Sequence, residues 1–424
     1  MMFARLLLLF LFSAAPQPAG AQVVATADSG DTGWMMLCAI LVLLVALPGL
    51  MLRHMGMVNV RNGLAVAAQT AAVAAGVSLA WGIAGYSLAY APGNDWLGGG
   101  ANLLLAQLGT LREGLTVPES AFVLFQMSLA IFAACLLPGA LAERARLGWI
   151  TALAPLWLIL VYAPVVHWVW GGGWLASLGV MDFAGALVIH VSAGFSALAL
   201  ALIIGRRRSS PGGGHAPLLG MAGGALTWVG WAGVVGGWAL GATDDAATAI
   251  LNSHFGACAA ALTWMAIDRI AGGRSTATGV MSGALAGLVA VSASAALIGM
   301  GGAILTGIAA VILCRAGKAM IANRVDDAAD IFVVHGLGGL TGMLLMPVMV
   351  LPALGGVGFE PSITLGGALT SQAIGIVVVA LWAMIGSAMA ALILSVILPM
   401  RGSVQDESDG LDSVQHGQQG WDFR

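Results

Sequence analysis

Two histidines stand inside otherwise apolar stretches, His190 in "DFAGALVIHVSAG" (182–194) and His335 in "VVHGLGG" (333–339). Both stretches read V-x-H-x-x-x-G, and each has an aspartate upstream, Asp182 and Asp330. Between Arg146 and Arg206, Asp182 is the one charged residue. An imidazole in apolar surroundings favours its uncharged form, and of two uncharged rings one can donate a hydrogen bond to the other. Such a pair offers polar contacts to a small hydrogen-bonding solute and a relay for protons, but it does not suit a large organic substrate. A single histidine here would read as a structural group bonded to a neighbouring helix. Two at matching positions point to a shared site, a conducting pore for a small cation or its neutral base.

Asp182 precedes its helix, about 12 Å from His190 at 1.5 Å per residue. Its main expected role is to cap that helix, with a second role in lending negative potential to an entrance. Trp170, in "HWVWGGGWLASLGVMDF", has the character of an interfacial tryptophan. Beside an entrance its face can also hold a cation.

The elements that must carry these residues follow from composition. The chain of 424 residues is 59% hydrophobic and only 8% charged, which excludes a soluble domain and requires a polytopic membrane protein. Its 61 glycines suit closely packed membrane helices, as at Gly233 and Gly237 in G-x-x-x-G spacing. Cys38, Cys135, Cys258 and Cys314 all fall in apolar spans and read as buried small hydrophobes, not as a disulfide framework or a metal site. No metal-ligand or nucleophile constellation accompanies the histidines, so neither an enzyme nor a cofactor protein is expected, and nothing suggests a nucleic-acid partner.

Residues 1–21 read as a signal peptide, with Arg5, the apolar core Leu6–Phe12 and the small residues Ala19-Gly20-Ala21. Apolar runs then predict eleven helices near 33–52, 64–89, 120–141, 148–166, 184–204, 217–238, 247–267, 278–298, 301–316, 331–351 and 371–398. With the mature N-terminus outside, alternate loops and the tail collect every one of the 16 basic residues except Arg5 and Arg112. That partition supports N-out, C-in in a cell membrane, with the lipid as solvent. The histidine helices are the fifth and tenth, an odd number of spans apart, so they run in opposite directions. This is the arithmetic of an inverted repeat of spans 1–5 and 6–10, with the site where the halves meet.

On "GALAERARL" (139–147), "VWGGGWLAS" (169–177), "DFAGALVIH" (182–190), "RVDDAADIFVVHG" (324–336), "GGVGF" (355–359) and "GLDSVQHGQQGWDF" (410–423), the sequence resembles the ammonium transporter family (Amt/Mep/Rh). The match is collinear over nearly the whole chain after residue 21. The resemblance implies an all-α fold of eleven transmembrane helices in a homotrimer with one pore per protomer, formed by residues 22–401. His190 and His335 match the twin pore histidines, Asp182 the aspartate below the outer vestibule, and Phe125 and Trp170 two aromatics of the external recruitment site. Ser128 and Trp231 complete the implied pore and substrate positions. The implied activity recruits ammonium by cation–π contact, removes its proton at the outer vestibule and passes neutral ammonia along the histidines.

The sequence departs from the family in three places. The stacked phenylalanine pair that closes the pore aligns with Leu129 and Val234, a vestibule serine aligns with Trp238, and the motif "FYGG" after the first span is replaced by "LRHMGM" (52–57). Trp238 lies one turn beyond Val234, and Phe125 and Phe132 flank Leu129 at helical spacing; Trp238 and Phe125 are expected to rebuild the outer closure. Residues 402–424 alone read as a disordered polar end. By resemblance they form a cytoplasmic segment packed under the trimer that meets a PII-type regulatory protein. Two alternatives stay open: an ammonium sensor signalling through the tail, and an Rh-type gas or small-amine channel.

Overall fold

A computed structural model of the chain describes residues 27–208 and 214–421; the signal-peptide reading of 1–21 lies outside them. Among the described residues, ten helical segments are long and apolar enough to cross a membrane. In chain order they are α1 (Ser29–Met57), α2 (Val60–Tyr90), α3 (Glu119–Ala140), α4 (Leu147–Ser177), α5 (Ala186–Ile204), α6 (Pro217–Gly237), α7 (Asp244–Ile270), α9 (Met300–Ile321), α10 (Phe332–Met349) and α11 (Leu365–Ser395). Between α7 and α9 lies α8 (Ala277–Val291), apolar but only 15 residues long.

α8 corrects the expectation of a helix over 278–298. The helix stops at Val291, and the chain turns through the small residues that follow. The Ser292 carbonyl accepts from Ala184 N–H at 2.8 Å and the Ala293 carbonyl from Phe183 N–H at 3.0 Å. The Ser292 hydroxyl donates back to the Leu288 carbonyl at 2.9 Å. Irregular backbone at membrane depth is tolerated when protein surrounds it, and Ser292, Ala293 and Ser294 are all buried. The shortened span thereby supplies acceptors to the turn that precedes α5.

Glycine sets how near the helices come. A Cβ on Gly223 would lie 2.3 Å from Arg53 N, and one on Gly233 would lie 2.4 Å from Leu41 Cβ. α6 therefore packs backbone to backbone against α1. The same device joins α5 to α10, where a Cβ on Gly194 would meet Gly336 N at 2.3 Å. Cys38, Cys135 and Cys314 are buried as expected, but Cys258 is half-buried, with Sγ 3.6 Å from Nε2 of His254. It lies on the outward side of α7, where apolar composition does not imply burial in protein.

Charge gathers at one face, the tail face. Arg207 bridges Glu143 at 2.9 Å and Asp326 at 2.8 Å. Burial alone would raise the Asp326 carboxyl, but the hydrogen bonds and charge of Arg207 outweigh it and hold the group below the usual carboxylate range. Arg401 and Arg208 meet Glu407, and Arg146 meets Asp406. On the opposite face Arg112 pairs with Glu119 at 3.2 Å and lies 4.6 Å over the Phe122 ring.

The tail is ordered, against what its composition alone suggests. It forms α12 (Val404–Asp409) and α13 (Leu411–His416). The buried Asp412 carboxylate accepts from Leu64 N–H at 3.1 Å and Ala65 N–H at 2.7 Å, near the start of α2. Gln415 Oε1 accepts from Leu147 N–H at 2.9 Å, at the start of α4. The tail thus caps two membrane helices whose first amides have no intrahelical partner. Asp412→Ala should lower stability by about 1–2 kcal/mol, the usual worth of a helix cap. The check is the melting temperature of detergent-solubilised protein; an unchanged value would mean that the tail rests on α2 without holding it.

Candidate functional site

The site is built where α5 and α10 lose regular α-helical winding. Ala186–Val191 and Phe332–Leu337 are wider π-helical turns, and each contains one of the histidines. A π turn swings its side chains out of the α register and is frequent at functional sites. Here it brings His190 Nδ1 and His335 Nδ1 to 3.2 Å, with the ring centroids 5.1 Å apart. Both side chains are buried.

Each turn is held by an aspartate. Asp182 accepts from Gly185 N–H at 3.1 Å and from Leu187 and Val188 N–H at 2.9 Å. Its counterpart is Asp327, which accepts from Ile331 N–H at 2.9 Å and Val333 N–H at 3.1 Å. This corrects the sequence-based pairing of Asp182 with Asp330. The histidines are 145 residues apart, and the same offset joins Asp182 to Asp327 and Gly185 to Asp330. Gly185 and Asp330 both have left-handed backbone, φ 94° and 58°. Asp330 therefore supplies the bend, and its carboxylate turns to Lys318 Nζ at 2.7 Å. Burial pushes the carboxyls of both Asp182 and Asp327 up to about 7, against the pull of the amides they accept from. The inverted repeat thus extends to caps, bends and histidines.

Two aromatic groupings surround the pair. Trp231 stacks on His190, with centroids 5.2 Å apart and planes 18° apart, and its indole N–H donates to Ser292 Oγ at 3.0 Å. Phe132 meets His190 and Trp231 edge-on at 5.6 Å each and His335 at 6.4 Å. Toward the Asp182 end, Trp238 lies 4.0 Å from Trp170 and 6.0 Å from Phe125. The Trp170 indole N–H donates to the Asp182 carbonyl at 2.8 Å. Phe125 reaches its place because residue 237 is glycine, where a Cβ would lie 2.3 Å from Phe125 Cε2.

The structure therefore brings together His190, His335 and Trp231 in one grouping and Phe125, Trp170, Trp238 and Asp182 in another. Leu129 and Val234 are fully buried. Ser128 is buried too, its hydroxyl donating to the Phe125 carbonyl at 2.7 Å. Two participants are additional to the expected site residues, Asp327 and Phe132, the latter named in the sequence only as flanking Leu129. Asp327 was signalled by its distance from His335, eight residues as from Asp182 to His190. Phe132 carried no signal beyond its helical spacing from Phe125 and Leu129, because a phenylalanine in an apolar helix is ordinary.

The family model "Ammonium Transporter Family" matches residues 33–421. The chain belongs to the ammonium transporter family. Among its relatives in that family, the ammonium transporter of Bacillus subtilis is 36% identical over 407 residues, covering 92% of this chain and 98% of the relative. The crystal structure of Candida albicans Mep2 superposes with a TM-score of 0.84 at 30% identity, covering 90% of this chain and 88% of the other. A structure titled "Sensor Amt Protein" superposes with a TM-score of 0.85 at 26% identity, covering 91% and 98%. The ammonium transporter fold thus extends over nearly all of the described chain.

The two aspartates near His335 separate in a stability experiment. Asp327→Ala leaves the buried amides of Ile331 and Val333 without their acceptor and should cost about 2–4 kcal/mol. Asp330→Ala removes an ion pair whose lysine is half-exposed and should cost under about 1 kcal/mol. Thermal unfolding in detergent gives the order; the reverse order would restore Asp330 as the counterpart of Asp182.

Proposed function

We propose that this protein carries ammonium across the membrane as ammonia, along a pore through each protomer that passes the His190–His335 pair. The observation that carries the reading is the 3.2 Å contact of two buried imidazoles between oppositely running helices. A dehydrated cation in a narrow apolar passage is expensive, whereas ammonia is neutral and hydrogen-bonds to imidazole. Recruitment belongs to the aromatic grouping beside Asp182. Trp170, Phe125 and Trp238 offer ring faces to ammonium, and the Asp182 end supplies negative potential. Trp238 and Phe125 take over the closure that the family's phenylalanine pair makes elsewhere, with Leu129 and Val234 as apolar filling beneath them.

The orientation follows from charge. The tail face, with its many arginines, lies in the cytoplasm, and the Asp182 end faces outward once residues 1–21 are removed as a signal peptide. By membership in the family the assembly is a homotrimer in the cell membrane. Its docked tail, on the cytoplasmic side, is the surface for a PII-type regulator. One relative's structure is titled a sensor, and the closed aromatic cluster gives that second reading a foothold; flux decides between them.

The test is ammonia entry into proteoliposomes, followed with an internal pH dye. Wild type should give saturable entry, and His190→Ala with His335→Ala should reduce it to the rate of empty vesicles. Entry unaffected by the double substitution, or absent from wild type, would contradict the reading. Trp238→Ser should raise the half-saturating ammonium concentration about threefold or more, from loss of a cation–π contact. No change in affinity or flux would leave Trp238 as space filling.

A further inference from the structure

The tail-side end of α1 carries "LRHMGM" (52–57), and two of its side chains are buried in protein although a helix end would let them reach water. Arg53 is 4% exposed and His54 1%. A guanidinium at such a place normally pairs with a carboxylate or extends to water. Arg53 does neither. Its Nη2 donates to Ser282 Oγ of α8 at 2.8 Å, and its buried Nη1 has no partner. Among the described residues it makes no ion pair. The carboxylate within its electrostatic reach, Asp330, is engaged by Lys318 at 2.7 Å. Asp327 spends its oxygens on the amides of Ile331 and Val333. His54 packs on Gly139, and neither of its nitrogens has a partner.

Ser282, which anchors this charge, lies one turn before Ala286, whose carbonyl oxygen a Cβ on Gly338 would approach to 3.5 Å, so Arg53 is held against the stretch of α10 that carries His335. We infer that Arg53 is a fixed-charge barrier on the tail side of the histidine pair, passing neutral ammonia and repelling ammonium. This rests on reading the histidine pair as the path of conduction. A unit charge several ångströms away in a medium of intermediate dielectric lowers the occupancy of a like-charged ion by about tenfold, while an uncharged solute does not feel it. The protein then discriminates by charge on the side away from the aromatic grouping. A proton removed at the entrance is kept from following the ammonia as ammonium. Lys318 tunes the barrier by holding the Asp330 carboxylate that would otherwise neutralise Arg53.

The readout is the charge moved per ammonia moved, from currents and internal pH recorded on the same proteoliposomes. Arg53→Gln keeps a donor for Ser282 but removes the charge, and should raise that ratio about tenfold. Arg53→Lys should keep the wild-type ratio. Lys318→Met lies at a half-exposed position that does not threaten folding; it frees Asp330 and should raise the ratio by a smaller factor. An unchanged ratio in both Arg53→Gln and Lys318→Met would overturn the inference, as would a rise in Arg53→Lys equal to that in Arg53→Gln. If Arg53→Gln does not fold, Lys318→Met alone carries the decision. The double histidine substitution runs alongside. Ammonia entry that survives it removes the pore reading and this inference together. Histidine-dependent entry with an unmoved ratio removes this inference alone.

Discussion

The contact between His190 and His335 is the constraint to which the rest of the structure answers. Two imidazole nitrogens 3.2 Å apart in an apolar interior require two helices to cross closely at one depth. Glycine makes the crossing possible: Gly194 lies against the backbone of Gly336, and a Cβ on Gly339 would lie 2.4 Å from the Ala186 carbonyl oxygen. The π turns then aim the rings. Wider turns leave amides at their starts, and Asp182 and Asp327 take them up. The early end of α8 completes the arrangement, since its freed carbonyls accept from Phe183 and Ala184 while Ser292 anchors the indole that stacks on His190.

A membrane interior punishes unpaired polar groups, so the placement of the few that exist is informative. Those around the caps, the Trp231–Ser292 pair and the tail junction are satisfied locally and read as architecture. Among the described residues, those without a partner include His190 Nε2, Arg53 Nη1 and both nitrogens of His54, which the proposed path of conduction would pass. The two sides of the histidine pair differ in character, aromatic rings and Asp182 on one and a buried guanidinium on the other. On the proposed reading, such a pore admits a cation at one mouth and resists it at the other.

Much of this was legible in the sequence because membranes impose strong rules. Long apolar runs gave the spans, and the paired V-x-H-x-x-x-G segments gave the antiparallel halves and the shared site. What escaped has physical reasons. The sequence pairs Asp330 with Asp182 because it is the acid nearest His335; only the bend, with φ 58°, shows that its backbone rather than its carboxylate matches the first half. α8 kept an apolar pattern past its end, and hydropathy does not register carbonyls turned toward another segment. The tail reads as solvent-loving because Asp412 and Gln415 gain their function only when the starts of α2 and α4 converge on them. Arg53 stood out only as a departure from the family motif, since burial of a charge is a property of the fold.

Conduction as proposed requires the two rings to form an uncharged, hydrogen-bonded pair in a dry passage. With Nδ1 facing Nδ1, a single proton lies between them, so one ring carries its hydrogen on Nδ1 and the other on Nε2. Nitrogen NMR of protein labelled at its histidines, in lipid at neutral pH, measures this directly, with His190→Ala and His335→Ala assigning the signals. Two neutral rings of opposite tautomer are expected, and a change in the remaining ring when either partner is removed. Two rings of the same tautomer, or a ring carrying both protons, would contradict it.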